Sequence, residues 1–121
     1  MTATEQWVEG YLRAWHTYEP DDIRALFTED AYYRGSPTDP NPWIGHDGLV
    51  AGWYRRHDAP EDWDFEWEVL GEMDDRGFVQ GLVTYHDGRP QWDVLWVIDF
   101  APDGRCSYFS EWSIPREKSD A

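Results

Sequence analysis

The hydrophobic period of this chain changes near residue 60, and this change constrains the fold more than any other feature. Before it, apolar side chains recur at helical spacing, most clearly over residues 7–15. After it, residues 63–69 alternate between aromatic or apolar and acidic side chains, which is typical of a strand with one face in water. The order predicts helices first and a sheet afterwards, in one α+β domain.

The first two helices begin at recognisable signals. Thr2 and Glu5 have the spacing of a capping box, ahead of an apolar helical pattern that runs to Trp15. Pro20 and the two aspartates after it favour the start of a second, short helix. The predicted apolar face of that helix comprises Ile23, Leu26 and Phe27.

A brief strand and a third helix follow. Residues 31–34 are predicted to form the strand, and residues 35–45 contain too much proline and glycine for regular structure. We expect this segment to be a loop over the mouth or rim of a pocket. The third helix is predicted from about His46 to His57, with Leu49, Val50 and Trp53 facing inward.

The second half predicts four long strands. After the strand at residues 63–69, turn residues at Asp87–Gly88 and at Pro102–Gly104 separate three further segments. These segments are Phe78–His86, Gln91–Phe100 and Cys106–Ile114. The result is an antiparallel meander, with the helices packed on a curved sheet. Residues 1–121 are expected to form a single domain, with a tail that is disordered from about residue 116.

Nine tryptophans among 21 aromatic residues are unusual in a chain of 121 residues. Each buried indole needs a partner for its N–H, so a small core rarely accommodates all of them. An aromatic cavity or an interface is the natural alternative. The candidates for the core or an interface are Trp7, Trp63, Trp67 and Trp92, and those for a pocket or its rim are Trp15, Trp43, Trp53, Trp96 and Trp112.

The charge of the chain argues against two classes of partner. Its formal net charge is −15, which repels nucleic acid and anionic membrane surfaces alike. A single cysteine, Cys106, excludes an internal disulfide and is expected to be packed in a strand rather than reactive. We expect a cytoplasmic protein, with neither a membrane nor a nucleic acid as partner.

Four segments carry a resemblance to a known family. They are Trp7–Trp15, Ile23–Ala31, the Gly45 that opens the third helix, and Gly104–Trp112. With the order of elements, they resemble the nuclear transport factor 2-like superfamily and, within it, the SnoaL-like group. The resemblance implies a cone-shaped, curved antiparallel sheet wrapped around three helices, with a blind pocket. This fold hosts isomerases, cyclases, epoxide hydrolases, dehydratases and binding modules, so it does not specify an activity.

Similarity to the ketosteroid isomerases of this superfamily implies a set of pocket residues. On the sheet they are Gln80, Leu82, Thr84 and His86, then Val94, Trp96 and Ile98, then Phe109, Glu111 and Ser113. From the helices, Tyr11, Trp15 and Trp53 are expected to join them. The register of residues 92–98 stays open, because the hairpin is one residue shorter than in the isomerases. The residues expected to contact a ligand are Trp15, Tyr32, Trp43, Trp53, Leu82, Thr84, Trp96, Phe109 and Trp112.

The sequence also departs from the isomerase pattern. Tyr11 matches the tyrosine that hydrogen-bonds a developing enolate in those enzymes. Their general base is an aspartate, and Gly35–Pro37 stands at its position. Their second oxyanion donor, an aspartic acid, is replaced by Trp96 or Val97. We therefore expect no ketosteroid isomerisation by that mechanism.

Glu111, His86 and Tyr11 remain as candidate catalytic residues. A carboxylate among aromatics has a raised pKa that suits acid–base catalysis, and His86 is expected to converge on it from a neighbouring strand. Alternatively, Glu111 accepts a structural hydrogen bond from Trp or Tyr, and His86 is exposed near its turn. No metal-ligand spacing occurs, so neither a metal nor another cofactor is expected.

Two functions from different classes follow. One is a cofactor-independent enzyme that performs cyclisation, isomerisation or elimination on an apolar small molecule. The other is a non-catalytic module that binds such a molecule or dimerises. In either case the excess of aromatic surface predicts a homodimer formed through the outer face of the sheet.

Overall fold

The computed structural model describes residues 1–116, so the tail predicted to be disordered lies outside the described residues. Three α-helices and six strands make up the fold. The helices are α1 (Ala3–Thr17), α2 (Pro20–Arg24) and α3 (Gly45–Arg55), and a short 3-10 helix covers Pro60–Asp62. The strands are β1 (Phe27–Arg34), β2 (Trp43–Ile44), β3 (Trp63–Met73), β4 (Arg76–Tyr85), β5 (Trp92–Phe100) and β6 (Cys106–Pro115).

The predicted α+β class is confirmed, with one difference in the sheet. The six strands form a single curved, unclosed sheet in the order β2-β1-β6-β5-β4-β3. Strands β3 to β6 make the predicted antiparallel meander. β1, however, pairs with β6 in parallel, so the sheet is mixed rather than wholly antiparallel. The helices cover its inner face.

Helix α1 begins where the capping box predicts. The Thr2 hydroxyl accepts a hydrogen bond from the Glu5 backbone N–H, and the Glu5 carboxylate accepts one from the Thr2 N–H. The helix buries Trp7, Val8 and Tyr11 on one face. Its indole at Trp7 donates to the Leu26 carbonyl at 2.9 Å, which ties the helix to the start of the sheet. No helix in residues 1–116 has the length and apolar character needed to cross a membrane.

The second helix is shorter than its apolar pattern predicts. It ends at Arg24, and Phe27 is the first residue of β1 instead of the last residue of a helical face. Pairing with β6 explains the difference, because Phe27 lies beside Cys106 and both are fully buried. Phe27 would be buried either as a helical residue or as a strand residue, and pairing with β6 favours the strand.

The loop and the third helix also differ in their bounds. The segment expected to be irregular, residues 35–45, contains the two-residue strand β2 and the first residue of α3. The helix ends at Arg55, two residues before the predicted end. Gly45, which opens it, has a φ of +73°, a conformation that glycine adopts without strain.

The facing of β4 is opposite to the expectation. Val79, Gly81 and Val83 point inward, and the residues implied for the pocket, Gln80, Leu82 and Thr84, lie on the outer face. Gly81 sits directly under the ring of Phe65 on β3, with no room for a side chain. Because side chains alternate along a strand, a shift of one residue reverses every facing.

Alanine substitutions at two glycines of α3 test how Trp43 packs against this helix. A methyl group at Gly52 would overlap the Trp43 ring, whereas one at Gly48 would make only an ordinary contact. Alanine at Gly48 should raise the free energy of unfolding by about 0.5–1 kcal/mol through its better helix propensity. Alanine at Gly52 should lower it by about 1–3 kcal/mol through overpacking. Urea denaturation measures both, and equal effects of the two substitutions would contradict this packing.

Candidate functional site

A cavity of about 480 Å³ lies between the helices and the inner face of the sheet. Its wall is largely aromatic, and its polar groups are few. The aromatic residues that line it are Tyr11, Trp15, Tyr18, Tyr33, Trp43, Trp53, Tyr85, Trp92 and Trp96. The polar residues are Arg56, His57, Asp58, Arg89, Glu111 and Ser113. This composition suits an apolar molecule that is oriented by a few polar contacts.

Glu111 is the central polar group of the cavity. It lies on β6 directly across from Trp96 of β5, and the Trp96 indole donates a hydrogen bond to Glu111 Oε2 at 2.9 Å. The other oxygen, Oε1, accepts no hydrogen bond from residues 1–116 and stays accessible in the cavity. Burial raises the pKa of Glu111, while the Trp96 N–H and the charge of Arg56 oppose that rise.

Two tyrosines place a second polar group in the same cavity. The hydroxyls of Tyr11 on α1 and Tyr33 on β1 are 2.9 Å apart and hydrogen-bonded to each other. Burial raises the pKa of both phenols well above the usual range, and the negative charge of Glu111 adds to the rise. Both tyrosines therefore stay neutral. In such a pair one hydroxyl donates to the other, which leaves a single proton free to point elsewhere.

Charged residues at the ends of α3 and β4 form a salt-bridged group at the cavity. Arg89 contacts Asp58 at 2.9 Å and Asp87 at 2.8 Å, and its guanidinium lies 3.6 Å from the ring centre of Tyr85. Burial raises the pKa of Tyr85 to about 12. The backbone N–H of Asp58 donates to the Tyr18 hydroxyl at 2.9 Å. Asp58 and Arg89 are therefore ion-paired with protein side chains.

The structure brings together some of the expected site residues and not others. The candidates that line the cavity are Tyr11, Trp15, Trp43, Trp53, Val94, Trp96, Glu111 and Ser113. Phe109 is fully buried in the core behind the cavity wall. Tyr32 and Trp112 are exposed on the outer face of the sheet. Leu82 and Thr84 also lie on that face, where Thr84 accepts a hydrogen bond from the Gln91 amide.

The expected convergence of His86 and Glu111 is wrong. His86 follows the last residue of β4 and is exposed, and its Nε2 lies 2.6 Å from the Asp64 carboxylate on the outside of the protein. The resemblance placed His86 inward together with Leu82 and Thr84, so the reversed facing of β4 removes all three from the cavity. Among residues 1–116, no three His, Cys, Asp or Glu side chains are close enough to hold a metal ion.

The cavity residues that the sequence analysis did not expect are Tyr18, Tyr33, Arg56, His57, Asp58, Val83, Tyr85 and Arg89, together with Trp92, which was a candidate for the core or an interface. Tyr33 lies on the same face of β1 as the buried Ala31, two residues away, and this spacing was a signal present in the sequence. Tyr85 follows from the facing of β4, since it continues the inward series of Val79 and Val83.

A family model described as a SnoaL-like domain matches residues 8–109, which is most of the chain. The chain belongs to the SnoaL-like domain family. None of the curated proteins matches it in sequence.

Solved structures agree with this fold at low sequence identity. An NTF-2-like protein from Burkholderia xenovorans is 16% identical, with a TM-score of 0.72 over 97% of this chain and 87% of that one. A steroid delta-isomerase from Pseudomonas aeruginosa is 16% identical, with a TM-score of 0.67 over 95% and 82%. The epoxide hydrolase/cyclase-like enzyme SalBIII, which has a role in pyran ring formation in the polyether salinomycin, is 15% identical, with a TM-score of 0.72 over 91% and 89%.

This SnoaL-like domain has few carboxylates in its cavity. The position where the isomerases have their aspartate base falls just after β1, where the Gly35 N–H donates to the Asp39 carboxylate. Within residues 1–116 the cavity lining includes two carboxylates, Asp58 and Glu111, and Asp58 is paired with Arg89. Glu111 is therefore the cavity carboxylate without an ion-pair partner in the described part of the chain.

The raised pKa of Glu111 predicts a pH-dependent cost to stability. In the unfolded chain this group titrates near its ordinary value of 4.5, and in the folded protein it binds its proton more tightly. Its contribution to stability is therefore largest below that value and falls as the pH rises through the folded pKa. Glutamine at Glu111 removes this fall, so the variant should gain stability relative to the parent as the pH increases from about 4 to about 8.

Urea denaturation across that pH range measures the effect. Glutamine at the exposed Glu61 is the matched control, because it removes one negative charge from the same chain of net charge −15 without touching the cavity. A stability difference between the Glu111 variant and the parent that stays constant with pH would show that the cavity does not perturb this carboxyl.

Proposed function

We propose that the cavity binds an apolar small molecule and that Glu111 transfers a proton to or from it without a cofactor. The observation that carries the proposal is the asymmetry of the Glu111 carboxyl. Trp96 holds one oxygen in place, and the other oxygen opens into an aromatic cavity. A positioned carboxyl group with a raised pKa has the properties of a general acid or base.

The hydrogen bond from Trp96 determines where the proton moves. Because Oε2 accepts the indole N–H, its lone pairs are partly used, and a proton on the carboxyl occupies Oε1. That proton faces the cavity and the ligand. When Glu111 is ionised, Oε1 accepts a proton from the ligand, and when it is neutral, Oε1 donates one. A raised pKa brings both forms closer to neutral pH.

Tyr11 and Tyr33 supply the complementary hydrogen bond. Proton removal from carbon leaves negative charge on a ligand oxygen, and a neutral phenol in a dry site stabilises such a charge. The two hydroxyls are already oriented by each other, so little rearrangement is needed. His86, which was expected to converge on Glu111, lies outside the cavity and has no part in this arrangement.

Isomerisation, cyclisation and elimination all fit this arrangement, since each requires movement of a proton near a developing oxyanion. The steroid delta-isomerase and the epoxide hydrolase/cyclase-like enzyme of the same fold support this class of reaction for the chain. Their identities, near 15%, support the fold and not a particular substrate.

A binding module without catalysis is the second candidate. The hydrogen bond between Trp96 and Glu111 favours it, because a carboxylate that satisfies a buried indole also has a structural use. In that case the same cavity holds an apolar ligand, and Glu111 fixes Trp96 in the wall.

A reporter elimination separates the two candidates. The probe is 5-nitrobenzisoxazole: a base takes the proton from its C3, the N–O bond breaks, and the coloured cyanonitrophenolate forms. The parent protein should accelerate this reaction above the buffer rate. Glutamine at Glu111 should lower the rate constant by about 10²–10⁴, the usual contribution of a general base. Spectrophotometric initial rates measure it.

Two controls accompany the elimination. Glutamine at the exposed Glu61 should leave the rate unchanged, because it removes a carboxylate outside the cavity. The Glu111 variant should still bind the probe, as a rise in melting temperature and a change in tryptophan emission. If both proteins bound the probe and catalysed its elimination at the same rate, the catalytic role of Glu111 would be rejected and the binding module would remain.

We also propose that the protein is a homodimer formed through the outer face of the sheet. That face carries exposed apolar side chains, among them Trp112, which is 50% exposed, and Ile114, which is 69% exposed. The neighbouring Leu95 and Val97 on β5 are only partly buried. An apolar area of this kind is seldom left in water on a monomer.

Glutamate at Trp112 should dissociate the dimer, because it places two charges in an apolar interface. The matched control is glutamate at Tyr54 on α3, which is 46% exposed but away from the sheet. Sedimentation at micromolar concentration should give twice the chain mass of 14.3 kDa for the parent and the Tyr54 variant, and a single chain for the Trp112 variant. A monomeric parent would contradict the proposal.

A further inference from the structure

Arg56 is a cation at the cavity that forms no ion pair and no side-chain hydrogen bond within residues 1–116. We propose that it binds the anionic group of the ligand, so that the ligand is an apolar molecule carrying one carboxylate. The inference rests on the proposed function, since it concerns the substrate class of the same cavity. It adds a charged contact that the aromatic wall alone does not predict.

Arg56 differs from the other arginines because it lines the cavity without an ion pair in the described part of the chain. In a chain with 25 acidic and 10 basic residues, an arginine normally finds a carboxylate. Five of the nine arginines do so in the structure: Arg24, Arg76, Arg89, Arg105 and Arg116. Arg13, Arg34 and Arg55 form no ion pair within residues 1–116, but none of the three lines the cavity. Arg56 lines the cavity, yet within residues 1–116 it makes neither an ion pair nor a side-chain hydrogen bond.

Nearby acids do not replace the missing partner. Asp58 is held by Arg89, at 2.9 Å. The two oxygens of Asp39 accept the backbone N–H groups of Asn41 and Gly35. Glu111 shares the cavity, but it forms no ion pair with Arg56, and its Oε2 already accepts the Trp96 N–H. Arg56 therefore keeps a net positive charge for an incoming anion.

The surroundings of Arg56 favour a carboxylate attached to an apolar body. Its guanidinium lies 5.7 Å from the ring centre of Trp43, which leaves the planar group beside an aromatic wall. Trp43 and Trp53 continue that wall into the cavity. A planar guanidinium matches a carboxylate in shape, and one positive charge balances one negative charge. Arg56 could balance only one charge of a doubly negative group, and the net charge of −15 on the protein would repel the other.

The test compares two probes that differ in charge and hardly in shape, 2-naphthoate and 2-naphthamide. Isothermal titration calorimetry at neutral pH measures both dissociation constants. The parent should bind the carboxylate more tightly by about three- to tenfold, between the effect of an exposed ion pair and that of a charge-assisted hydrogen bond. Glutamine at Arg56 should abolish the preference, and lysine should retain part of it.

Glutamine at Arg55 is the matched control. It removes the same charge from the adjacent residue of α3, and it lies outside the cavity lining, so the preference for the carboxylate should persist. Equal affinity of the parent for the two probes would overturn the role of Arg56 and leave the binding cavity standing. If neither probe bound, the proposed function would fail along with it. Loss of the preference in the Arg55 variant as well would show a general charge effect and also overturn the inference.

Discussion

The pairing of Trp96 with Glu111 across β5 and β6 is the contact on which both the core and the site depend. The Trp96 ring lies 4.5 Å from Tyr11, 5.1 Å from Phe65 and 5.5 Å from Phe109, measured between ring centres. Its N–H meets the Glu111 carboxyl at 2.9 Å. A slip of one residue in this hairpin would replace the indole with Leu95 or Val97 and remove the donor. The packing that stabilises the sheet therefore also positions the carboxyl group.

The aromatic content has two structural consequences. Trp15 and Trp63 stack at 3.6 Å and join α1 to the first strand of the meander. Trp7 and Trp96 find acceptors, but the buried N–H groups of Trp53 and Trp63 have none within residues 1–116. Each such group costs about 1–3 kcal/mol, which large buried rings offset. Trp53 is also part of the cavity wall, so its ring contributes to the shape of the cavity.

The sequence predicts this fold well where one conformation alone satisfies the pattern. The capping box at Thr2 and the alternation of β3 each admit one interpretation, and both are confirmed. The predicted facing of β4 was wrong. Apolar residues occur there in adjacent pairs, such as Leu82 and Val83, so the sequence pattern does not show which of the two faces inward. The site follows the same rule. The predictions for Glu111 and Tyr11 agree with the cavity lining, whereas that for His86 depended on the facing of β4. Tyr33 was missed because Tyr32, its neighbour on the opposite face of β1, was expected to contact the ligand.

The charges of the cavity form one coupled system. Three influences act on the pKa of Glu111: burial raises it, and the Trp96 N–H and the Arg56 charge lower it. The fold fixes the hydrogen bond from Trp96, because Trp96 is buried and its partner lies directly opposite. Arg56 is exposed and lacks an acidic partner in the described chain, so a ligand can change the influence of its charge. A carboxylate bound to Arg56 would cancel that charge and favour the protonated form of Glu111, which couples recognition of the ligand to the protonation state that acid catalysis requires.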